Sequence, residues 1–294
     1  MKVVYGHTDS IYVQIDTIEK AKEILQEVNN HVQDLFPNVF DLAEHPVNLE
    51  FEKYYSTLGV GTVKNRNAGM ISWEDGRFLE KPKFIMTGFT AKRISQTPLA
   101  KRVQIKLLKM WVEKVPFEKI NSYLNEQYLL VLNGKIPLSD IIKRSRFKEE
   151  RFKFKCVCGK KYTLKTLPAN SFCQKCGADK NSFTTPKGKK PTFGEGVAGI
   201  LYGQERFDTQ YEDSYLYLKV KRLNDYFTNP LTGEKRPAEY ISVNREFEFV
   251  DYVPDWKHYA DSILKKAEPI YKAMNWDIAS IKSGRIQLSL DEWW

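Results

Sequence analysis

The chain has 294 residues, 42% hydrophobic and 28% charged, with 16 Gly and 13 Pro, which is the composition of a folded protein of two or three domains. No apolar run approaches the roughly 18 residues of a membrane span. The start Met1-Lys2-Val3-Val4 is too short and too polar for a signal peptide. A net charge of +9, from 46 Lys and Arg against 37 Asp and Glu, suits a polyanion partner without proving one. The four cysteines sit as two close pairs, a spacing that argues for metal rather than disulfides and so for an intracellular protein.

The first predicted element is a hairpin from about Val3 to Ile15. Its polar turn Tyr5-Gly6-His7-Thr8-Asp9-Ser10 lies between Val3-Val4-Tyr5 and Ile11-Tyr12-Val13. A carboxylate at such a turn is well placed to hold a divalent metal. A helix follows from Ile18 to about Phe36, with Ile18, Ala21, Ile24, Leu25, Val28 and Val32 on one face and Asp16 or Thr17 as its cap. Val47 to Tyr55 alternates like a strand with one wet face. Hairpins are expected around Gly59 to Met70 and at Trp73 to Phe78, the latter turning at Glu74-Asp75-Gly76. From Pro98 the period becomes helical, with one long helix through Leu99, Val103, Leu107 and Val112 and a second from Phe117 to Leu132. Lys153 to about Pro191 reads as a small cysteine-bearing module. A short β portion with a strand at Tyr215 to Val220 comes next, and a helical tail from Pro254 to Met274 closes the pattern.

The turn at Tyr5 to Ser10 resembles motif C of the family B DNA polymerases, whose usual form is Tyr-Gly-Asp-Thr-Asp-Ser. Further likenesses follow in order. Leu49-Glu50-Phe51-Glu52-Lys53 resembles the strand after the motif C helix. Lys64-Asn65-Arg66-Asn67-Ala68-Gly69 resembles the Lys-Lys-Arg-Tyr-Ala-Gly element that contacts the primer-template minor groove. Gly88 and Arg93 match the entry to the thumb, Leu132 to Leu138 matches a thumb turn, and Ile286 to Trp294 resembles the archaeal C-terminal end. The resemblance implies an α+β fold: a partial polymerase palm followed by a mainly helical thumb with an inserted four-cysteine zinc ribbon. The expected boundaries are 1–95 for the late palm with motif C, 96–152 for the first part of the thumb, 153–191 for the ribbon-like insertion and 192–294 for the second part of the thumb.

The same resemblance implies the chemistry. Asp9 matches the metal-ligating Asp of motif C and is the expected catalytic residue, holding Mg²⁺ in a site shared with a second chain. Tyr5, Gly6, His7, Thr8 and Ser10 are expected to support the turn. His7 stands where the family has its first Asp, and imidazole is a poorer Mg²⁺ ligand than carboxylate. Lys64, Asn65, Arg66 and Asn67 are expected to contact DNA, with Arg93, Lys101 and Arg102 on thumb phosphates. Motif A, the fingers and the 3′–5′ exonuclease are expected on a larger partner chain, which makes this chain resemble the small subunit of a split polymerase. The implied partners are primer-template DNA, deoxynucleoside triphosphates and that larger chain. Binding to a sliding clamp is left open, no membrane partner is expected, and a cytoplasmic, nucleoid-associated location follows. The alternative is a non-catalytic DNA-binding or scaffolding subunit, which His7 favours; a free-standing zinc-ribbon protein is a third reading.

Cys156-x-Cys158 and Cys173-x2-Cys176 make two ligand-bearing turns of the kind used in four-cysteine zinc sites. Gly159 and Gly177, each after a second cysteine, are expected at positive φ. Four thiolates select structural zinc in an ordinary cytosol, an iron–sulfur cluster being the alternative. Lys155, Lys160, Lys161, Lys165 and Lys175 around the site suggest contact with duplex DNA or the partner chain.

Overall fold

The computed structural model describes residues 2–7, 10–93 and 96–283. It is a mixed α+β chain that divides into two compact units. The first comprises 1–89, 105–123 and 267–294; the second comprises 90–104 and 124–266. In chain order the elements of the N-terminal part are β1 (Lys2–His7), β2 (Ser10–Gln14), α1 (Ile18–Leu35), β3 (Lys53–Val60), β4 (Asn67–Glu74) and β5 (Arg77–Thr87). Then come α2 (Pro98–Val112), α3 (Phe117–Leu132), β6 (Lys143–Arg146), β7 (Lys153–Lys155), β8 (Lys161–Thr163) and α4 (Gly196–Phe207). The chain continues with β9 (Ser214–Lys219), β10 (Tyr226–Thr228), β11 (Lys235–Pro237), β12 (Tyr240–Val243), α5 (Trp256–Met274) and α6 (Ala279–Ser283).

In the first unit, β1 and β2 form a two-stranded ladder, while β3, β4 and β5 form an antiparallel sheet with β4 in the centre. β4 is central because its side chains are those that bury: Ala68, Ile71 and Trp73 are core residues. Asp75 and Gly76, both at positive φ, make the two-residue turn into β5 that their sequence favours. α1 starts where Thr17 accepts a hydrogen bond from the Lys20 N–H at 3.2 Å, so Thr17 is the cap. The expected strand at Val47 to Tyr55 begins only at Lys53. Before that point the Asn29 side-chain amide clamps the backbone, donating to the Leu49 carbonyl at 2.9 Å and accepting from its N–H at 2.8 Å. These bonds take the backbone groups that a sheet ladder would need.

In the second unit, β12, β9 and β6 form an antiparallel sheet against which α4 packs. α4 is a correction, since its segment reads as part of a short β portion. Gly196, Gly199 and Gly203 count against a helix by propensity. Here they allow close approach: a Cβ on Gly199 would lie 2.5 Å from Ser242 Oγ and 2.8 Å from its backbone nitrogen. Tertiary packing outweighs propensity, and Gly196 to Gly203 are all buried. Midway along α2, the buried Gln104 accepts from the Ala91 N–H at 2.7 Å and donates to the Lys266 carbonyl at 3.2 Å. Among the described residues, no helix is long and apolar enough to cross a membrane.

Candidate polymerase hairpin and cysteine centre

The β1–β2 ladder pairs Val3 with Val13, Tyr5 with Tyr12, Gly6 with Ile11 and, last, His7 with Ser10. Thr8 and Asp9 lie outside the described residues, as does the closing segment 286–294. The hairpin is tied to the β3–β4 loop through Tyr5. Its hydroxyl donates to Asn65 Oδ1 at 2.8 Å and accepts from the Asn65 backbone N–H at 3.0 Å. Asn65 sits at φ 63, which an Asn tolerates better than most residues. A ring series Tyr5–Tyr12–Tyr55, with centroids 5.5 and 6.0 Å apart, joins the same hairpin to β3. Two sequence elements 60 residues apart, the β1–β2 hairpin and the Lys64–Asn67 element, are thus brought together. Local pattern carries no signal for that link.

The proposed DNA contacts fall into different environments. Lys64 is exposed and Arg66 half-buried on the β3–β4 loop, whereas Asn67 is buried at the first position of β4. In the second unit, Arg93 is exposed and Lys101 is half-buried. Arg102 makes a bidentate pair with Asp140, at 2.9 and 2.6 Å, which ties the start of α2 to the turn after α3. A shallow cavity of about 480 Å³ is lined by Glu50, Phe51, Glu52, Lys53, Glu74 and Asp75. Its Glu74 carboxylate is held below the usual range, chiefly by the Lys83 ammonium hydrogen-bonded to it at 2.8 Å. It serves as an ion-pair partner there.

The four cysteines converge. Their sulfur atoms all lie within 4.8 Å of one another, with Cys156 to Cys176 at 3.5 Å and Cys158 to Cys173 at 3.8 Å. A tetrahedron of bonds about 2.3 Å long has edges of about 3.8 Å, so the donor set fits a four-coordinate metal. Gly159 and Gly177 stand at φ 84 and 73, as the knuckle turns require, with N–H bonds of 2.9 Å to the Cys156 and Cys173 carbonyls. Among the described residues this is the one group of three or more His, Cys, Asp or Glu that can hold a metal ion. Tyr162 lies 3.1 Å from Cys173 Sγ and stacks on Phe183 at 5.3 Å. Burial pushes the Cys173 thiol up, but the Tyr162 hydroxyl and the N–H groups of Lys175 and Cys176 outweigh it and draw the thiol down to about 6. Burial instead pushes the Cys156 thiol up to about 12, so the donor set releases protons when it takes up a metal.

The model of DNA polymerase family B matches residues 1–179, well over half of the chain. The chain belongs to DNA polymerase family B. Among family B relatives, the DNA polymerase zeta catalytic subunit of Arabidopsis thaliana is 32% identical over 144 residues, which cover 48% of this chain and 7% of that protein. A DNA polymerase of Archaeoglobus fulgidus is 30% identical over 141 residues, 48% of this chain and 16% of that protein. The chain therefore spans less than a fifth of the length of either relative. A solved family B DNA polymerase from Pyrobaculum calidifontis overlays with a TM-score of 0.49 at 16% identity, covering 92% of this chain and 26% of that one.

Proposed function

We propose that the chain is the late-palm and thumb portion of a DNA-directed DNA polymerase, active with a larger chain that supplies motif A, fingers and exonuclease. The observation that carries this is the family B match over residues 1–179, which takes in the Tyr5 to Ser10 turn. Asp9 would hold Mg²⁺ together with a carboxylate of the larger chain, because Mg²⁺ takes hard oxygen ligands and this turn offers one carboxylate beside one imidazole. Mg²⁺ held there would supply charge neutralisation for the transferred phosphoryl group and activation of the primer 3′-hydroxyl. Tyr5 positions the β3–β4 loop relative to the turn, and Lys64 and Arg66 on that loop meet the primer-template duplex.

A cover for the hairpin, from the polymerase parts that the proposal assigns elsewhere, is supported by its apolar surface. Val3, Val4, Ile11 and Val13 are 58%, 46%, 62% and 37% exposed. A two-stranded ladder is marginal in water without a cover on its apolar side chains. Phe36, Val39, Phe40 and Leu42, after α1, add to the uncovered surface. The four cysteines would hold a zinc ion that is structural, since all four tetrahedral positions are filled by sulfur.

The test is primer extension with Mg²⁺ after mixing with the larger chain. Extension lost in Asp9→Ala supports catalysis; equal, poor extension by wild type and D9A with DNA binding retained sinks it. His7 favours a second reading, a DNA-binding subunit without chemistry. A large rise in rate in His7→Asp would show that the imidazole holds a competent site down.

A further inference from the structure

The positive charge of the chain is concentrated in one place. Residues 153–191 contain ten lysines, no arginine and a single acidic residue, Asp179, a balance of +9. That equals the net charge of the whole chain, because the other 255 residues hold 36 basic and 36 acidic side chains. Four thiolates around one Zn²⁺ sum to −2, so the loaded module still carries +7. Attraction of a polyanion by net charge is therefore a property of this module, not of the helices around it.

Three of the ten lysines are already engaged. Lys160 donates to Gln174 Oε1 at 3.2 Å and lies over the Tyr162 ring. Lys180 is 8% exposed and donates to the Pro168 carbonyl at 3.1 Å, and Lys153 pairs with Glu149 at 2.8 Å. Lys155, Lys161, Lys165, Lys175, Lys187, Lys189 and Lys190 are exposed, and among the described residues none of them forms an ion pair. Their arrangement is ordered. β7 and β8 set Lys155 directly opposite Lys161, while Phe154 and Tyr162 turn inward and are buried. Like charges facing across a ladder destabilise it, and an anion lying over them removes the repulsion. On the other side of β7, Thr184 exchanges backbone hydrogen bonds with Lys155 at 2.8 and 3.0 Å. From Thr184 the chain enters a turn closed by Thr185 N–H to the Lys189 carbonyl at 2.7 Å, and this turn carries Lys187, Lys189 and Lys190. Cations drawn from three adjacent segments fit a chain of repeated phosphates better than a single anion. Lysine, a point charge without the planar fork of arginine, gives grip without base choice.

We infer that the cysteine module is the principal phosphate-backbone grip of this chain, holding duplex DNA through the β7–β8 lysines and the 187–190 turn. The choice of duplex DNA as the polyanion rests on the proposed polymerase function. The test is the salt dependence of binding of the zinc-loaded full chain to a labelled primer-template duplex, measured without Mg²⁺, nucleotide or second chain. Lys155, Lys161, Lys187, Lys189 and Lys190 are replaced together by Gln in one variant and by Arg in another, with zinc content and circular dichroism checked in both. Each lost phosphate contact flattens the slope of log K against log salt by about 0.9. The Gln variant is expected to lose about two units of slope or more and at least about tenfold in affinity at roughly 0.1 M salt, while the Arg variant keeps both. An unchanged slope in the Gln variant overturns the inference, as does an equal loss in the Arg variant. Loss of binding to phosphatidylserine vesicles with DNA binding intact overturns it in favour of a membrane surface. Failure of primer extension would sink the polymerase proposal and leave this measurement standing, and an unchanged slope would leave extension standing.

Discussion

Gly88→Ala tests the join between the β1–β2 hairpin and the β3–β4 loop. Gly88 lies at φ 73, and a Cβ there would sit 1.7 Å from the Asn65 carbonyl oxygen. Since Cβ contacts below 3.0 Å do not occur, that carbonyl must retreat by at least the 1.3 Å difference. Asn65 is the residue that Tyr5 holds with bonds of 2.8 and 3.0 Å, so the retreat loosens both. Left-handed backbone costs an alanine about 1–2 kcal/mol, and two net hydrogen bonds are worth about 1 kcal/mol each. The expected loss is about 3–4 kcal/mol. Gly76→Ala is the control in the same unit: φ is 81 but nothing lies within 4 Å of the new Cβ, so only the backbone cost of about 1–2 kcal/mol applies. Urea unfolding of both variants measures the difference, expected to be about 2 kcal/mol. Equal costs for the two substitutions would refute the close approach of Gly88 to Asn65.

Tyr5→Phe keeps the ring contact with Tyr12 and removes only the hydroxyl; it should cost about 1 kcal/mol and speed hydrogen exchange at the Asn65 amide, which loses its acceptor. Metal analysis of the native chain should give one zinc per molecule, and Cys173→Ser or chelation should remove it and abolish the near-ultraviolet dichroism of the stacked Tyr162 and Phe183. Burial, aided by Lys219 on β9 and with Lys143 and Lys265 adding smaller repulsions against an opposing Asp255, lowers the His258 pKa below 6.5. Between that lowered value and 6.5 the unfolded chain binds more protons than the folded one, so stability falls as pH drops through this window. His258→Gln should flatten the acid side of a melting-temperature profile, and an unchanged slope there would count against the burial of this ring.

What could be read from sequence was what local pattern determines. The α3 segment Phe117–Leu132 carries a full apolar period, a cap for α1 stands at Asp16 or Thr17, and Asp75-Gly76 is a turn by its chemistry, so these follow from residue order, the structure choosing Thr17 as the cap. The cysteine pairs are legible for the same reason, since ligand spacing within each knuckle is local and only the meeting of the two knuckles is tertiary. Long-range polar pairing was not legible. Asn29 takes the Leu49 backbone away from a strand over 20 residues, and Arg102 finds Asp140 over 38. A basic residue in a DNA-binding family looks the same in sequence whether it is exposed on a loop like Lys64 or occupied like Arg102. α4 failed for the opposite reason, because its glycines lower helix propensity yet supply the close contact with Ser242 that selects the helix.

Charge separates the two proposed tasks. In the proposed site Mg²⁺ needs carboxylates to hold it, and His7 stands where the resembled motif has one of them. Duplex grip needs positive charge, and outside residues 153–191 basic and acidic side chains balance. The cationic module at 153–191 supplies that charge in a stretch of sequence other than the one that carries Asp9. The tasks should then be separable by mutation. Asp9→Ala should abolish extension while leaving the salt slope of DNA binding unchanged. The five-lysine Gln variant should flatten that slope, yet keep a strict dependence on Asp9 when enough DNA is supplied to saturate it. If Asp9→Ala altered the salt slope as much as the lysine replacements do, grip and chemistry would share one site, and the division of charge along the chain would have no functional meaning.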